Sequence, residues 1–440
     1  MLQRKIYEKM LQWKRNRPKT CLFVKGARQV GKSYIIRRFG ETEYAHYVEI
    51  NFLKNPELKS IFVGDLAADE IYMRMTAHIP GITLEKGKTL VFLDEIQTCG
   101  EARTALKFLA EDKRYDVIAS GSLLGLAFGS DADGEVRAPA SVPVGYEESL
   151  TMHSLDIEEF LWGRGFGGNA VDYLRRFFER KERVSDALNE KYERLFREYM
   201  VVGGMPEVVE DFCANLDFGR VQNLQEKILG SYRDDISAHA KTPEKIKVRA
   251  CYDSIPRQLA RENRKFKYSE VEHNATAKKY YDSIEWLKNT NLVNICRNVR
   301  KPCLPLMANV KENEFKVYLN DTGLLMAMYG MNAKLALLED SLKGNAKGGI
   351  YENAIAEALA KKGYALNYYK TPDSRTEIEF VIEKGGAVIP LEVKSGNAAT
   401  ASLNGFLEKF HPPIAYKIIK GNLGLSGNKF TFPHYMTLFL

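Results

Sequence analysis

One eight-residue segment has the composition and spacing of a phosphate-binding loop. The segment GARQVGKS at 26–33 matches the pattern GxxxxGK[ST] at every fixed position, between an apolar run and a helical stretch. Backbone N–H groups and the following helix N-terminus would hold phosphates there, with Lys32 reaching the β- and γ-phosphates and Ser33 ligating Mg²⁺. The predicted ATP-binding residues are Gly26, Ala27, Arg28, Gln29, Val30, Gly31, Lys32, Ser33 and Tyr34.

Two carboxylates follow a second apolar run further along the chain. The segment TLVFLDEIQ reads as a buried strand that ends at Asp94 and Glu95. In P-loop ATPases a carboxylate at the end of this strand ligates Mg²⁺, and the next carboxylate activates the attacking water. We therefore assign Asp94 to the metal and Glu95 to the water. The alternative is that the Asp-Glu pair only caps the next helix. The next apolar run, YDVIASGS, contains Ser120, which we predict to sense the γ-phosphate.

Acidic residues near the C-terminus suggest a second metal-dependent site. Glu377 and Glu379 lie two apart on one predicted strand, and Glu392 and Lys394 lie two apart on the next, so each pair shares a face. Two carboxylates from neighbouring strands, here Glu379 and Glu392, can hold a divalent metal, with Lys394 orienting water or neutralising charge during phosphodiester cleavage. Glu352, on the preceding helix, is a further metal ligand in this hypothesis. Three readings stay open: an active nuclease, a degenerate nuclease-like fold, and a solvated face with cross-strand salt bridges.

The segment 241–301 concentrates the positive charge of the chain. It holds 15 Lys and Arg against 7 Asp and Glu, an excess larger than the net charge of +7 of all 440 residues. We read it as helix, turn with Ser269 as N-cap, helix and strand, the order of a winged helix. DNA binding and a solvated face over an aromatic core both fit this pattern. The residues suited to DNA are Arg261, Arg264, Lys265, Lys267, Lys278 and Lys279, interleaved with Phe266, Tyr268 and Tyr280.

Composition places the chain among ordinary globular proteins. It is 45% hydrophobic and 28% charged, and no apolar run is long enough to span a membrane. The six cysteines form neither CxxC pairs nor a regular framework, which indicates reduced thiols and a cytoplasmic protein. The length favours two to four domains.

Alternating strands and helices predict an α/β domain with a doubly wound parallel sheet at 1–150. Helical spacing predicts a helical subdomain at 151–240, followed by the winged-helix-like basic domain at 241–342. The Gly- and Lys-rich stretch 343–349 is interpreted as a linker. This stretch opens the predicted α/β, nuclease-like domain at 343–440, which has a hairpin turn at KGG.

Over nearly its full length the chain resembles bacterial and archaeal AAA-type ATPases with a C-terminal domain of unknown function of the PD-(D/E)xK, restriction-endonuclease-like fold. Besides GARQVGKS and LVFLDEIQ, the resemblance rests on the segments SVPVGYEESLTMHSLDIEEFL, YMVVGGMPEVV, VYLNDTGLL, YENAIAEAL, EIEFVI and IPLEVKSG. It implies a P-loop ATPase, a helical and winged-helix-like middle and a nuclease-like C-terminus, with Ser120 at the sensor-1 position. Tyr146 stands where the family usually has Arg, and Glu379 where it usually has Asp. The longer Glu379 side chain shifts the carboxylate relative to octahedral Mg²⁺ geometry.

The leading hypothesis is a Mg²⁺-dependent ATPase whose nucleotide state rearranges a DNA-binding middle and a nuclease-like C-terminal domain. The alternative is a nucleotide-switched regulatory or scaffold protein that binds a protein partner and carries an inactive nuclease-like domain. The sequence leaves open the oligomeric state and the choice between ATP and GTP. It also leaves open the arginine finger, for which Arg28, Arg103 and Arg137 are candidates.

Overall fold

The computed structural model describes residues 2–16, 19–122, 145–239, 242–371, 373, 376–396 and 401–440. The chain forms two compact units, a first unit of residues 4–153 and a second unit that contains residues 154–440. The finer division into four domains stays a prediction.

The first unit contains a parallel sheet of five strands in the order β2-β3-β4-β1-β5. Its strands are β1 Cys21–Gly26, β2 His46–Asn51, β3 Thr89–Asp94, β4 Asp116–Ser122 and β5 Glu147–Thr151, and its helices are α1 Lys5–Asn16, α2 Lys32–Glu43, α3 Ala68–His78 and α4 Gly100–Asp112. The predicted α/β fold with a parallel sheet is therefore confirmed for this part of the chain. Strand β5 was not predicted, because its sequence EESLT is polar and half-exposed and has no apolar run.

Both faces of this sheet are buried. In β1, Leu22 and Val24 pack into a core with Ile36 and Phe39 of α2. The alternate residues Cys21 and Phe23 pack into a second core that includes residues of α3 and α4. Burial on both faces explains why the strands read as continuous apolar runs, and it brings the strand ends together at one polar edge.

Helices make up most of the second unit before residue 290. The helices described in this unit are α5 Ile157–Gly163, α6 Gly168–Arg180, α7 Asp186–Val202, α8 Pro206–Asn215, α9 Phe218–His239, α10 Thr242–Leu259, α11 Ala277–Asn289, α12 Thr322–Tyr329, α13 Met331–Leu338, α14 Gly344–Lys361 and α15 Ala401–Phe410. None of the helices in the described part of the chain is long and apolar enough to cross a membrane.

The second unit also holds a mixed sheet in the order β12-β13-β11-β10-β9-β8-β6-β7. Its strands are β6 Val293–Val299, β7 Val310–Leu319, β8 Asn367–Lys370, β9 Glu377–Lys384, β10 Ala387–Val393, β11 Ala415–Ile419, β12 Gly424–Ser426 and β13 Lys429–Pro433. Strands β6 and β7 form an antiparallel hairpin, and β6 also pairs with β8. Strands from both sides of residue 343 therefore share one sheet.

Two local predictions in the second unit are wrong. Residues 344–349 begin α14 instead of forming a linker, because their glycines allow close packing: a Cβ on Gly349 would lie 2.2 Å from the carbonyl oxygen of Leu259. Ser269 is not a helix N-cap. It lies inside the short 3-10 turn Tyr268–Glu270, and α11 begins only at Ala277, after Thr276.

Candidate nucleotide-binding site

The predicted phosphate-binding loop connects β1 to α2. Gly26 is the last residue of β1, and Lys32 and Ser33 are the first two residues of α2. Gly31 caps this helix with φ of 92°, a left-handed conformation that glycine adopts without steric cost. The loop thus places a helix N-terminus at the carboxyl edge of the sheet, where anions bind in such folds.

The other predicted loop residues differ in exposure. Ala27 and Val30 are buried, whereas Arg28 is half-buried and Gln29 and Tyr34 are exposed. The Val30 carbonyl accepts a hydrogen bond from Arg4 Nη1 at 3.1 Å. The buried side chains of Ala27 and Val30 fix the loop in place. The groups of the loop that suit phosphate are its backbone N–H groups.

Lys32 lies inside the loop. Its Nζ donates to the carbonyl oxygens of Ala27 at 2.7 Å and Gly26 at 3.2 Å. Burial lowers the pKa of Lys32 to about 8, although Glu95 and Asp94 act in the opposite direction. The ammonium group is therefore held by backbone dipoles of its own loop.

Asp94 is the centre of a polar cluster at the end of β3. Ser33 Oγ donates to Asp94 Oδ1 at 2.9 Å, and Ser120 Oγ donates to the same oxygen. Asn51 Nδ2 donates to Asp94 Oδ2 at 2.8 Å. Burial, followed by the charge of Glu95, raises the pKa of Asp94, while the hydroxyl donors lower it. The structure therefore brings together the predicted residues Ser33, Asp94 and Ser120.

Asn51 is a functional candidate that the sequence analysis missed. It is the last residue of β2 and pairs in register with Asp94 of β3. Its Oδ1 accepts the backbone N–H groups of Leu53 and Lys54, so the side chain is fixed on both sides. The signal was available in the sequence, because a polar residue ends the run YVEIN at the same edge of a parallel sheet.

Glu95 directly follows β3 and has an unusual backbone conformation. Its φ of 56° is left-handed, which costs about 1–3 kcal/mol for a residue other than glycine. The Glu95 carbonyl accepts from Thr98 N at 3.0 Å and Thr98 Oγ1 at 2.9 Å. Gln97 Nε2 donates to Glu95 Oε2 at 2.5 Å, a second contact that the sequence analysis missed. These bonds fix the direction of the Glu95 carboxylate.

The donor set suits Mg²⁺. Ser33 and Asp94 supply a hydroxyl and a carboxylate, the hard oxygen ligands that Mg²⁺ prefers, and their oxygens lie 2.9 Å apart. In P-loop proteins, a hydroxyl at the position of Ser33 and a carboxylate at the position of Asp94 share one ion with the phosphates. The residues present therefore fit this cofactor.

The three candidate arginines have different positions. Arg103 forms an ion pair with Glu147 at 2.6 Å and lies over the Phe23 ring at 4.2 Å, so it is already committed inside the first unit. Arg28 lies in the phosphate-binding loop, and Arg137 lies outside the described residues. The ring of Tyr146 lies 5.4 Å from Lys107 Nζ.

In the second unit, Glu352 lies on α14 and is 2% exposed. Its oxygens accept from Lys316 Nζ at 2.7 Å, from Arg264 Nη1 at 2.8 Å and from the Tyr318 hydroxyl. Although burial raises the pKa of Glu352, Lys316 and Arg264 more than offset it, and the net pKa is lowered. The predicted metal ligand is therefore an ionised member of a buried ion-pair network.

The other predicted nuclease residues lie on β9 and β10 and just beyond β10. Lys394 Nζ lies 2.6 Å from Glu379 Oε1 and 3.7 Å from Glu392 Oε1, so all three side chains meet. Burial raises the pKa of Glu379 and raises the pKa of Glu392 to about 7. Glu377 instead pairs with Lys316 at 2.9 Å and Lys370 at 2.6 Å. Across the described residues, no group of three or more His, Cys, Asp or Glu side chains is arranged to hold a metal ion.

The basic segment 241–301 is partly used for structural contacts. Arg264 and Arg261 form ion pairs with Glu352 and Glu270, and Lys265 lies 3.8 Å from Glu314. Lys267, Lys278 and Lys279 are exposed. The interleaved aromatic residues pack together, with the ring centroids of Phe266 and Tyr268 5.4 Å apart and those of Tyr268 and Tyr280 6.4 Å apart.

Comparisons with known proteins agree with the first-unit geometry. Residues 18–161 match the family model of an AAA domain. Residues 193–335 and 347–432 match two domains of unknown function, DUF8612 and DUF4143. A comparison with curated proteins found no match.

Two solved structures resemble the chain at 13% identity. One is a Walker-type ATPase of Pyrococcus abyssi, with a TM-score of 0.40, covering 75% of this chain and 96% of that one. The other is a signal transduction ATPase with numerous domains, carrying a tetratricopeptide repeat sensor, from Pyrococcus horikoshii. Its TM-score is 0.26, and the match covers 85% of this chain and 46% of that one.

The phosphate-binding loop, the Asp94 cluster and the AAA family match define an AAA-type P-loop ATPase domain at residues 18–161. The two matched domains of unknown function assign no chemistry to the second unit. Its winged-helix and PD-(D/E)xK assignments stay predictions.

Proposed function

We propose that the first unit binds ATP with Mg²⁺ and hydrolyses it, and that the nucleotide state controls the binding of a partner by the second unit. The observation that carries the hydrolysis proposal is the hydrogen bond from Ser33 Oγ to Asp94 Oδ1, with Glu95 as the residue that follows Asp94. This hydrogen bond supports the roles of Ser33 and Asp94 as metal ligands and of Glu95 as the base, because all three residues lie at one edge of the sheet beside the phosphate-binding loop.

Each side chain has a defined role in this proposal. Lys32 leaves the loop carbonyls and neutralises charge on the β- and γ-phosphates, and Glu95 accepts a proton from the attacking water. Asn51 and Ser120 hold the Asp94 carboxylate in place. Bound Mg²⁺ supplies electrostatic stabilisation of the phosphate oxygens.

The variant Glu95→Gln tests the hydrolysis proposal. We expect its ATPase rate to fall about a hundredfold, because the amide cannot accept a proton, while ATP affinity stays near the wild-type value. Phosphate release and the binding of a fluorescent ATP analogue measure the two quantities. Glu41→Gln, an exposed carboxylate on α2, is the matched control. Unchanged hydrolysis in Glu95→Gln would remove Glu95 from the mechanism.

We propose DNA as a partner of the second unit through the exposed residues Lys267, Lys278 and Lys279. Exposure of these side chains supports phosphate contact, although burial of the Phe266 and Tyr280 rings speaks against base stacking. Plots of log affinity against log salt are expected to have a slope of about −0.9 for each phosphate neutralised. Lys278→Glu combined with Lys279→Glu should make this slope shallower, and Lys86→Glu with Lys343→Glu should not. Salt-independent binding would argue for a protein partner.

Cleavage of DNA by Glu379, Glu392 and Lys394 is the second activity proposed from the sequence. The alternative is a nucleotide-switched scaffold with an inactive nuclease-like domain. The scaffold is favoured by the contacts of the carboxylates, since Glu379 and Glu392 both face the Lys394 ammonium group. The two proposals differ in whether the carboxylates bind a divalent ion.

A further inference from the structure

Four glutamates of the second unit are almost fully engaged by cations and other donors. We call Glu352, Glu377, Glu379 and Glu392 the acidic cluster. Seven of their eight carboxylate oxygens have a donor or cation partner. The exception is Glu392 Oε2, which is buried and finds no hydrogen-bond partner within the described residues. The partners carry as many positive charges as the cluster has carboxylates: Arg264, Lys316, Lys370 and Lys394.

Lys316 occupies the middle of this network. It belongs to β7 and is 1% exposed, yet its Nζ lies 2.7 Å from Glu352 Oε1 and 2.9 Å from Glu377 Oε1. The ammonium group also lies 4.9 Å from the centre of the Tyr368 ring. It therefore bridges carboxylates from a helix and a strand, which is the arrangement expected for a shared cation.

We propose that the ammonium groups of Lys316 and Lys394 take the place of a divalent metal ion in the acidic cluster, which is consequently not a nuclease centre. Together they carry the charge of one divalent ion, and each lies between two carboxylates. The inference goes beyond the ATPase proposal and does not depend on it.

The chemistry of the donor set does not fit Mg²⁺. That ion needs near-octahedral coordination by oxygen atoms whose lone pairs face one point. Here Lys316, Arg264 and Tyr318 surround Glu352, and the Val393 backbone N–H and Lys394 surround Glu379. A divalent metal ion in this cluster would lie close to the positively charged ammonium groups of Lys316 and Lys394, and the repulsion between them opposes metal binding.

Removal of Lys316 should convert the network into a metal site. Lys316→Met keeps a long apolar side chain but removes the cation from Glu352 and Glu377. Glu377 Oε1 loses its partner and Glu352 Oε1 keeps only the Tyr318 hydroxyl, which leaves an excess of negative charge in a buried space. Uncompensated buried carboxylates either gain a proton or attract a cation. A divalent ion in place of the ammonium group would again put positive charge between Glu352 and Glu377.

Mn²⁺ binding in the absence of nucleotide tests this proposal. All proteins carry Asp94→Asn, so that the ATPase site lacks its carboxylate ligand, and free Mn²⁺ is measured by electron paramagnetic resonance near neutral pH. The parent is expected to bind no Mn²⁺ in the acidic cluster. Lys316→Met is expected to gain one site with affinity at least about tenfold above the parent background, and Glu352→Gln should abolish the gain. Lys370→Met removes the other partner of Glu377 and is the control. It should gain no site, because the Lys316 ammonium group still lies between Glu352 and Glu377.

Two results would overturn the proposal. One is stoichiometric Mn²⁺ binding by the parent that is lost on Glu392→Gln, because the native cluster would then be a metal centre. The other is a folded Lys316→Met protein that binds no Mn²⁺. If Lys316→Met alone is unfolded, Mn²⁺ is expected to restore its folded circular dichroism signal, and a lack of rescue would equally contradict the proposal.

Discussion

Lys32→Ala is expected to eliminate ATP binding and hydrolysis, with a loss of about a thousandfold in affinity. Lys32 would make two or more charge-assisted hydrogen bonds to phosphate oxygens, which together contribute about 4 kcal/mol. The substitution should leave folding intact, because the Lys32 partners in the structure are carbonyl groups of its own loop. Isothermal titration with ATP measures the affinity, and thermal unfolding without nucleotide checks the fold. Wild-type affinity in a folded Lys32→Ala protein would refute the assignment of the loop.

The lowered pKa of Lys32 gives the same site a pH dependence. In the free protein burial places this pKa at about 8, while a bound triphosphate favours the charged lysine and raises it. ATP affinity should therefore be constant below pH 8 and fall by up to about tenfold per pH unit above it, because the neutral amine must first take up a proton. Lys32→Arg keeps its charge over this range and should lack the dependence. A wild-type profile as flat as that of Lys32→Arg would contradict the prediction.

The nucleotide site was largely predictable from sequence because its parts are local. A phosphate-binding loop is a short continuous segment, and Asp94 ends an apolar run that any parallel sheet must bury. The residues that orient Asp94 were harder to predict from the sequence. The sequence shows that Asn51 ends an apolar run, but it does not show that β2 pairs with β3 in the register that brings Asn51 to Asp94.

The second unit was harder to predict because its contacts join distant segments. Periodicity correctly placed Glu379 and Glu392 on neighbouring strands of a hairpin, since alternation is a local property. It could not reveal that Lys316, in a strand far earlier in the chain, supplies their neighbour Glu352 with a buried cation. A lysine within the apolar segment FKVYL was the available signal, since a charge in a buried strand requires a partner.

Three of the segments that carry the resemblance to AAA-type ATPases contact one another in the second unit. Asp321 of VYLNDTGLL accepts the Gly204 N–H of YMVVGGMPEVV at 2.8 Å. Asn353 of YENAIAEAL accepts the Leu319 N–H at 2.8 Å. These three segments therefore meet through buried hydrogen bonds, which give Asp321 and Asn353 structural partners.

Glu357→Ala is expected to destabilise the second unit by about 3–5 kcal/mol, the cost of removing one member of a buried ionic network. Glu357 is 1% exposed and accepts from Thr322 N at 2.7 Å, Tyr199 OH at 2.8 Å and Lys361 Nζ at 2.5 Å. It also accepts from the Thr322 hydroxyl, so its loss leaves several buried donors without their acceptor.

Tryptophan fluorescence can assign this loss to the second unit. Of the three tryptophans in the chain, Trp13 is in the first unit, while Trp162 and Trp286 are in the second. In a Trp13→Phe background, urea unfolding followed by fluorescence therefore reports on the second unit, and Glu357→Ala should lower its midpoint. Glu339→Ala removes an exposed carboxylate after α13 and should change stability by less than about 0.5 kcal/mol. Equal midpoints for the two variants would mean that the Glu357 contacts contribute no net stability, and the three segments would then need another physical explanation.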